Sequence, residues 1–368
     1  MTAPNAMQSD ILFQPLQLGE LALANRIIMS PMTRTRAGEH DIATDLMVEY
    51  YRQRASAGLI VTEGVYPSRV GKGYWRMPGI ADAAQIASWR YVADAVHEAG
   101  GKIVMQIMHC GRVVVLANRL FAAEVIAPSA LPCPQPVPGP DGVPAATAMP
   151  REIAADEIPA LYEEFAQAAR NARAAGIDGV ELHAASGYLA HQFLDTASNQ
   201  RTDEFGGSAE NRCRFVIGVL QAMADAIGAG RVGLRISPGN TFNGMAADEP
   251  EANFAPLLRA AESMQLAYVH IMNMNLPELD VLDMVRKYWS GPVLNNNGLT
   301  GASARELLQQ GRAQGASFGR AFISNPDLPA RLAQNAPLAP VQTASIYVGE
   351  EHGFTDYPPM SAATSTDH

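Results

Sequence analysis

Eight short apolar runs, each followed by an amphipathic stretch, recur along this chain, and that repeat restricts its fold more than any other feature. The runs are RIIMSPM from Arg26, LIVTEGV from Leu59, KIVMQIM from Lys102, GVELHA from Gly179, VGLRIS from Val232, YVHIMN from Tyr268, PVLNNN from Pro292 and ASFGR from Ala316. They are nearly continuous in apolar residues, as parallel strands buried on both faces should be. The segments between them carry helical spacing. In one, Ile158, Leu161, Phe165, Ala168, Ala169 and Ala172 recur at i, i+3 and i+4, and Gly176 follows as a natural stop. Parallel strands joined by right-handed crossovers have few ways to close, so eight such units predict a single (β/α)8 TIM barrel. The alternative, an open doubly wound sheet, lacks the GxGxxG expected after its first strand.

Two segments fall outside the repeat. LFQPLQLGELALANR, before the first run, reads as an N-terminal hairpin that plugs the bottom of the barrel. Residues 113–154 follow the third run and hold eight prolines between Pro128 and Pro150. They read either as a surface linker or, since this face of a barrel is the catalytic one, as a capping lid. A length of 368 residues allows two ordinary domains or one large barrel, and 48% hydrophobic with 17% charged residues allows a large core. A net charge of −10 without any Lys/Arg-rich run argues against a nucleic-acid partner. No apolar run approaches the ~18 residues of a membrane span, and MTAPNAMQSD is no secretory signal. Cys110, Cys133 and Cys213 stand apart, without zinc-ligand spacing. They suggest reduced thiols in a cytoplasmic protein without a metal.

Polar residues collect at the C-terminal ends of the runs, where a barrel of this kind builds its active site. Thr33 follows the first run, Glu63-Gly64 ends the second, and Gln106 and His109 end the third. His183 ends the fourth, Arg235 lies in the fifth, Asn295-Asn296-Asn297 ends the seventh and Gly319-Arg320 the eighth. So many converging donors need an acceptor-rich ligand, because buried polar groups must be hydrogen-bonded. Arg235 in particular needs an anion or strongly polar partner; a barrel Glu would also serve. Gly298 and Gly319 each precede a helix and, with Arg320 alongside, suit a phosphate site, although such glycines also occur for steric reasons. Taken singly, His183 and Tyr188 read more readily as core residues that satisfy local hydrogen bonds.

The stretch ELHAASGYLAHQFLDTASNQRTDEFGGSAENRCRF, together with SPMTR, KIVMQIMHCGR, FGRAFISNPDLPARL and GFTDYP, resembles the old yellow enzymes, flavin-dependent ene-reductases, over nearly the whole chain. The resemblance implies non-covalent flavin mononucleotide (FMN), reduced by NADPH or NADH. Thr33 would sit near a flavin carbonyl, and Gln106 and Arg235 would bind the ring's polar edge, with His183 beside it. Pro31, Met32 and Gly64 would pack against the ring, while Asn297, Gly298, Gly319 and Arg320 would hold the phosphate end.

The family's chemistry implies that His183 and Ser186 bind the oxygen of an electron-poor alkene and Tyr188 protonates its α-carbon. Tyr74, Met108 and Phe354 would line the substrate pocket; Tyr74 and Phe354, as lone aromatics, read equally as packing. The chain departs from the family where Ser186 replaces the usual His or Asn, and where Met108 replaces a bulky Trp of several relatives. Expected partners are small electron-poor alkenes, carbonyl or nitro compounds, with the protein a monomer or homodimer. A flavin-assisted isomerase, a specialised-metabolite reductase and a non-flavin, phosphate-binding isomerase or aldolase stay as alternatives.

Overall fold

The computed structural model describes residues 10–360. The first elements are a hairpin, β1 (Leu16–Leu18) and β2 (Leu21–Leu23), turning through Gly19 with φ 54°. Leu18, Leu21 and Leu23 are buried against Ile28, Leu59, Val104 and Leu294, so the hairpin closes the bottom of the barrel as expected. The barrel strands are β3 (Ile27–Met29), β4 (Leu59–Val65) and β5 (Ile103–Ile107), then, after an excursion, β10 (Gly179–Ala184) and β11 (Val232–Ile236). β12 (Tyr268–Met272), β13 (Val293–Asn296) and β14 (Gly315–Phe318) complete it. These eight strands close in chain order, each parallel to its neighbours, and β14 returns to β3. Closure excludes the open doubly wound sheet.

The helices follow their apolar stripes. Helix Ile158–Ala174 buries all six residues of the predicted stripe, starts with Pro159 in its first turn and is followed by Gly176 at φ 86°. One irregularity bears on function. The β4–β5 register shifts between Val61 and Gly64, and there Gln106 N donates to Thr62 Oγ1 at 3.1 Å. The bulge turns Glu63 outward to Tyr51 and the Arg34 amide, and sets Gly64 opposite Gln106.

Residues 113–154 carry two short ladders, β6 (Ile126–Ala127) with β9 (Arg151–Glu152), and β7 (Val137–Pro138) with β8 (Pro144–Ala145). Their apolar side chains form a separate cluster in which Val113, Cys133 and Val137 join Met108 and Tyr188. The excursion therefore packs on the C-terminal face of the barrel. Arg34 and Arg36 are buried among backbone carbonyls of the C-terminal segment, and buried Arg54 donates to Phe322 O and Ile323 O. Arg34 donates to Ile346 O and Gly353 O, and Arg36 to Ser345 O and Ile346 O. No helix of the described residues is long and apolar enough to cross a membrane.

Candidate active site

Side chains two residues apart on a strand project to the same side. Glu181 and His183 of β10 both face the barrel interior, Glu181 across from Gln106 of β5 and His183 across from Arg235 of β11. Arg235 in turn lies across from His270 of β12. A polar layer results. Gln106 Nε2 donates to Glu181 Oε1 at 2.8 Å, and His270 Nδ1 donates to Glu181 Oε2 at 2.8 Å. On its other side His270 Nε2 meets Ser317 Oγ at 2.9 Å, which meets Ser30 Oγ at 2.6 Å. The Arg235 guanidinium approaches His270 Nε2 at 2.7 Å and donates to Asn296 Oδ1 at 3.0 Å.

Burial, then the positive charge of Arg235, lowers His270 to about 4, so its ring is neutral near pH 7. Burial alone would raise Glu181, but its contacts with His270 and the nearby Arg235 hold it below the ordinary carboxylate value. Arg235 itself is lowered, chiefly by burial.

Above this layer β10 runs into a turn that only permissive residues can make. Ser186 (φ 54°) and Gly187 (φ 74°) are both left-handed. A Cβ on Gly187 would lie 2.5 Å from Asn243 Cβ and 2.7 Å from Phe242 O, so glycine is required there. The turn brings the Tyr188 ring to 5.1 Å from that of His183. Tyr188 and Tyr74 share a hydrogen bond between their hydroxyls at 2.9 Å. Burial, then Tyr74, pushes the Tyr188 phenol well above its ordinary pKa, so it keeps its proton. His183, lowered to about 3 by burial and by Arg235, is neutral, and its buried Nδ1 has no partner among the described residues. Ser186 Oγ donates to Met272 Sδ at 3.7 Å, Ser186 N donates to Ser237 Oγ, and Ser186 O accepts from Asn243 Nδ2 at 2.8 Å.

The remaining predicted residues line the same end of the barrel, with one exception. Pro31, Met32 and Thr33 follow β3, half-buried. Gly64 lies under Met108, where a Cβ would overlap Met108 Cε at 2.5 Å. Gly298 (φ 70°) has open space where a Cβ would go, and a Cβ on Gly319 would meet nothing nearer than Met32 Sδ at 3.6 Å. These two loops follow adjacent strands, and Arg320 is exposed beside Gly319. Asn297 Nδ2 donates to Asn273 O at 2.8 Å, bracing the neighbouring loop.

The exception is Phe354. It is fully buried, stacked 4.1 Å from Tyr50 and covered by the Arg34 and Arg36 guanidinium groups, and so cannot line an open pocket. Its assignment to the substrate pocket is corrected to packing. Sequence reasoning also passed over Glu181 and His270. The signal for Glu181 was its two-residue offset from His183 within GVELHA, which puts both on the interior face.

This architecture fits a ligand with a flat polar ring and a phosphate. A buried guanidinium whose partners are neutral and an unpartnered imidazole nitrogen suit such a ring, and the open loops at Gly298 and Gly319 leave room for the phosphate. FMN has both parts.

The chain matches the NADH:flavin oxidoreductase / NADH oxidase family over residues 11–339. A probable flavin mononucleotide-dependent alkene reductase of Leishmania infantum is 39% identical to it, over 95% of this chain and 98% of that protein. Among solved structures, a morphinone reductase variant in complex with tetrahydroNAD superposes with TM-score 0.91 at 40% identity, over 97% of this chain and 99% of that one. An old yellow enzyme homologue from Zymomonas mobilis also superposes with TM-score 0.91, at 36% identity, over 94% of this chain and 99% of that one.

Proposed function

This chain belongs to the NADH:flavin oxidoreductase / NADH oxidase family, the old yellow enzymes, and on that premise we propose that it reduces the activated C=C bond of α,β-unsaturated carbonyl compounds and nitroalkenes. It is an FMN-dependent oxidoreductase that uses a nicotinamide as reductant. The family match sets aside the non-flavin isomerase or aldolase.

When bound, the flavin supplies hydride for the β-carbon of the alkene. The chain does the rest. Arg235 and Gln106 would hold the ring's polar edge, Thr33 would lie near a ring carbonyl, and Gly298, Gly319 and Arg320 would hold the phosphate. His183, neutral, has one N–H to offer a substrate oxygen, and such a bond strengthens as negative charge develops there. Tyr188 delivers its phenolic proton to the α-carbon, so that hydride and proton together saturate the bond. Tyr74, 2.9 Å from Tyr188, passes on a proton that restores the phenol and, being only half-buried, takes its own back from solvent water. The excursion over residues 113–154, packed around Tyr188, excludes bulk water from the phenol.

The observation that carries this reading is the pairing, across one left-handed turn above a buried arginine, of an unpartnered neutral imidazole on β10 with a phenol that keeps its proton. The test is spectroscopic. Purified protein should be yellow, with about one FMN per chain; under anaerobic conditions NADPH should bleach it and 2-cyclohexenone should restore the colour. Protein that stays colourless after incubation with FMN would end the flavin assignment. Flavin that NADPH bleaches but no enone or nitroalkene reoxidises would end the substrate assignment.

A further inference from the structure

Glu181 is a carboxylate sealed in the middle of the barrel, and the proposed chemistry gives it no contact with substrate. Burying such a charge is costly unless it is compensated and its lone pairs are filled. Both oxygens are filled, one by Gln106 and the other by His270. The compensating positive charge is Arg235, whose Nη1 lies 2.7 Å from His270 Nε2. The same Nη1 is 3.0 Å from Nδ1, so the guanidinium lies against the face of the imidazole whose edge meets the carboxylate. With Nδ1–H given to Glu181, Nε2 is the ring's acceptor and meets Ser317, while Arg235 packs on the ring face. Ser317 continues to Ser30, at the end of the strand that leads to Pro31, Met32 and Thr33.

We propose that Glu181 and His270 are positioning residues that aim Arg235 and offset its charge, and thereby set the reduction potential of the flavin. The inference rests on the reading that Arg235 binds the ring's polar edge. Reduction adds negative charge to that edge. A cation beside it favours the reduced form, and a buried anion behind the cation weakens that preference, since charges interact strongly away from water. The chain thus carries a counter-charge that keeps the flavin willing to give its electrons up to an alkene.

Glu181→Gln tests this by removing charge while keeping shape. Gln106 can still donate to the new side-chain oxygen, and His270 can accept from the new amide through its other tautomer. The midpoint potential of the bound flavin, measured against reference dyes, should become more positive. The expected shift is at least tenfold in the affinity of reduced over oxidised flavin, about 30 mV for a two-electron couple. Glu181→Asp keeps the charge and should leave the potential within half that shift. Equal shifts in both variants, or none in Glu181→Gln that still binds FMN, would overturn the inference.

A second measurement needs no variant. Nitrogen-15 resonances of histidine in the wild-type apoprotein should include a neutral ring protonated at Nδ1 that does not titrate down to pH 5. If every histidine ring is protonated at Nε2 or charged at that pH, the inference fails. Protein that binds no FMN at all would instead sink the flavin reading on which it rests.

Discussion

Tyr188 does two separable things: its ring packs in the apolar cluster beneath the 113–154 excursion, and its hydroxyl meets Tyr74. Tyr188→Phe removes the second and keeps the first. Tyr74, half-buried, can turn its freed hydroxyl to water, so the fold should be unaffected. Reduction of the flavin by NADPH should stay within a few-fold of wild type, because no proton from this phenol is needed there. Reoxidation by 2-cyclohexenone should slow on the order of 10²–10⁴-fold, the usual contribution of a positioned general acid. Rapid-mixing absorbance separates the two half-reactions, and equal slowing of both would make Tyr188 a packing residue only. The residues behind this prediction were legible because they interrupt apolar runs: singly, an imidazole at 183 could be core and a guanidinium at 235 could pair with a barrel Glu, but converging from several strands they point to a ligand. Glu181 and His270 interrupt their runs in the same way. What decides their role is the ladder register that sets Glu181 against Gln106 and His270 against Arg235, and register is a property of strand pairing across the barrel, not of any single run.

At the scale of elements, the loop after β11 joins the excursion to the catalytic turn. Asn243, left-handed at φ 60°, donates its backbone N–H to Gln135 Oε1 at 2.7 Å, and its side chain donates to Ser186 O at 2.8 Å. Arg112 closes the same loop by donating to Asn243 O and Gly244 O. The turn that presents His183 and Tyr188 is therefore held from outside by a segment more than forty residues before it in sequence. Gln135→Ala deletes one link, worth about 1 kcal/mol, without touching the turn itself. Amide exchange should then quicken about fivefold both in residues 131–149 and in residues 185–188. Hydrogen exchange read by mass spectrometry decides it; an unchanged turn beside a loosened excursion would mean that the two are independent. The barrel strands were legible as elements because burial on both faces leaves an unbroken apolar run, as in the seven wholly buried residues of β4. The ladders of the excursion were not. Each is two residues long, and β7 and β8 each contain a proline, so neither period nor propensity marks them. Phe354 misled for a related reason: near the C-terminus no periodicity distinguishes an aromatic that packs under arginines from one that lines a pocket.

For the whole molecule, the interior polar groups set how stability responds to acid. His109 and His183 are lowered to about 3, and His191 and His270 to about 4, in each case chiefly by burial. In the unfolded chain a histidine titrates near 6.5. As pH falls below that value the unfolded state takes up protons that the folded state refuses, and stability drops by about 1.4 kcal/mol per proton per pH unit. Glu63 works in the opposite sense. Burial raises it from 4.5 to about 7, so between those values the folded state holds a proton that the unfolded state has released, and stability falls as pH rises through that window. Four histidines outweigh one carboxyl, which leaves about three protons and a slope of up to roughly 4 kcal/mol per unit near pH 5. A fold held by roughly 5–15 kcal/mol cannot survive much of that slope. Urea unfolding at a series of pH values should give a stability that is level above pH 7, declines below 6.5 and vanishes between about pH 5 and 4. Two of the four histidines, His183 and His270, lie in the flavin site, so the visible absorbance of the cofactor should be lost in the same pH interval as the helical circular dichroism. A stability that is flat from pH 6.5 to 5 would mean that these imidazoles are not held neutral by the fold, and His183 could then not be the neutral single donor that the proposed chemistry requires.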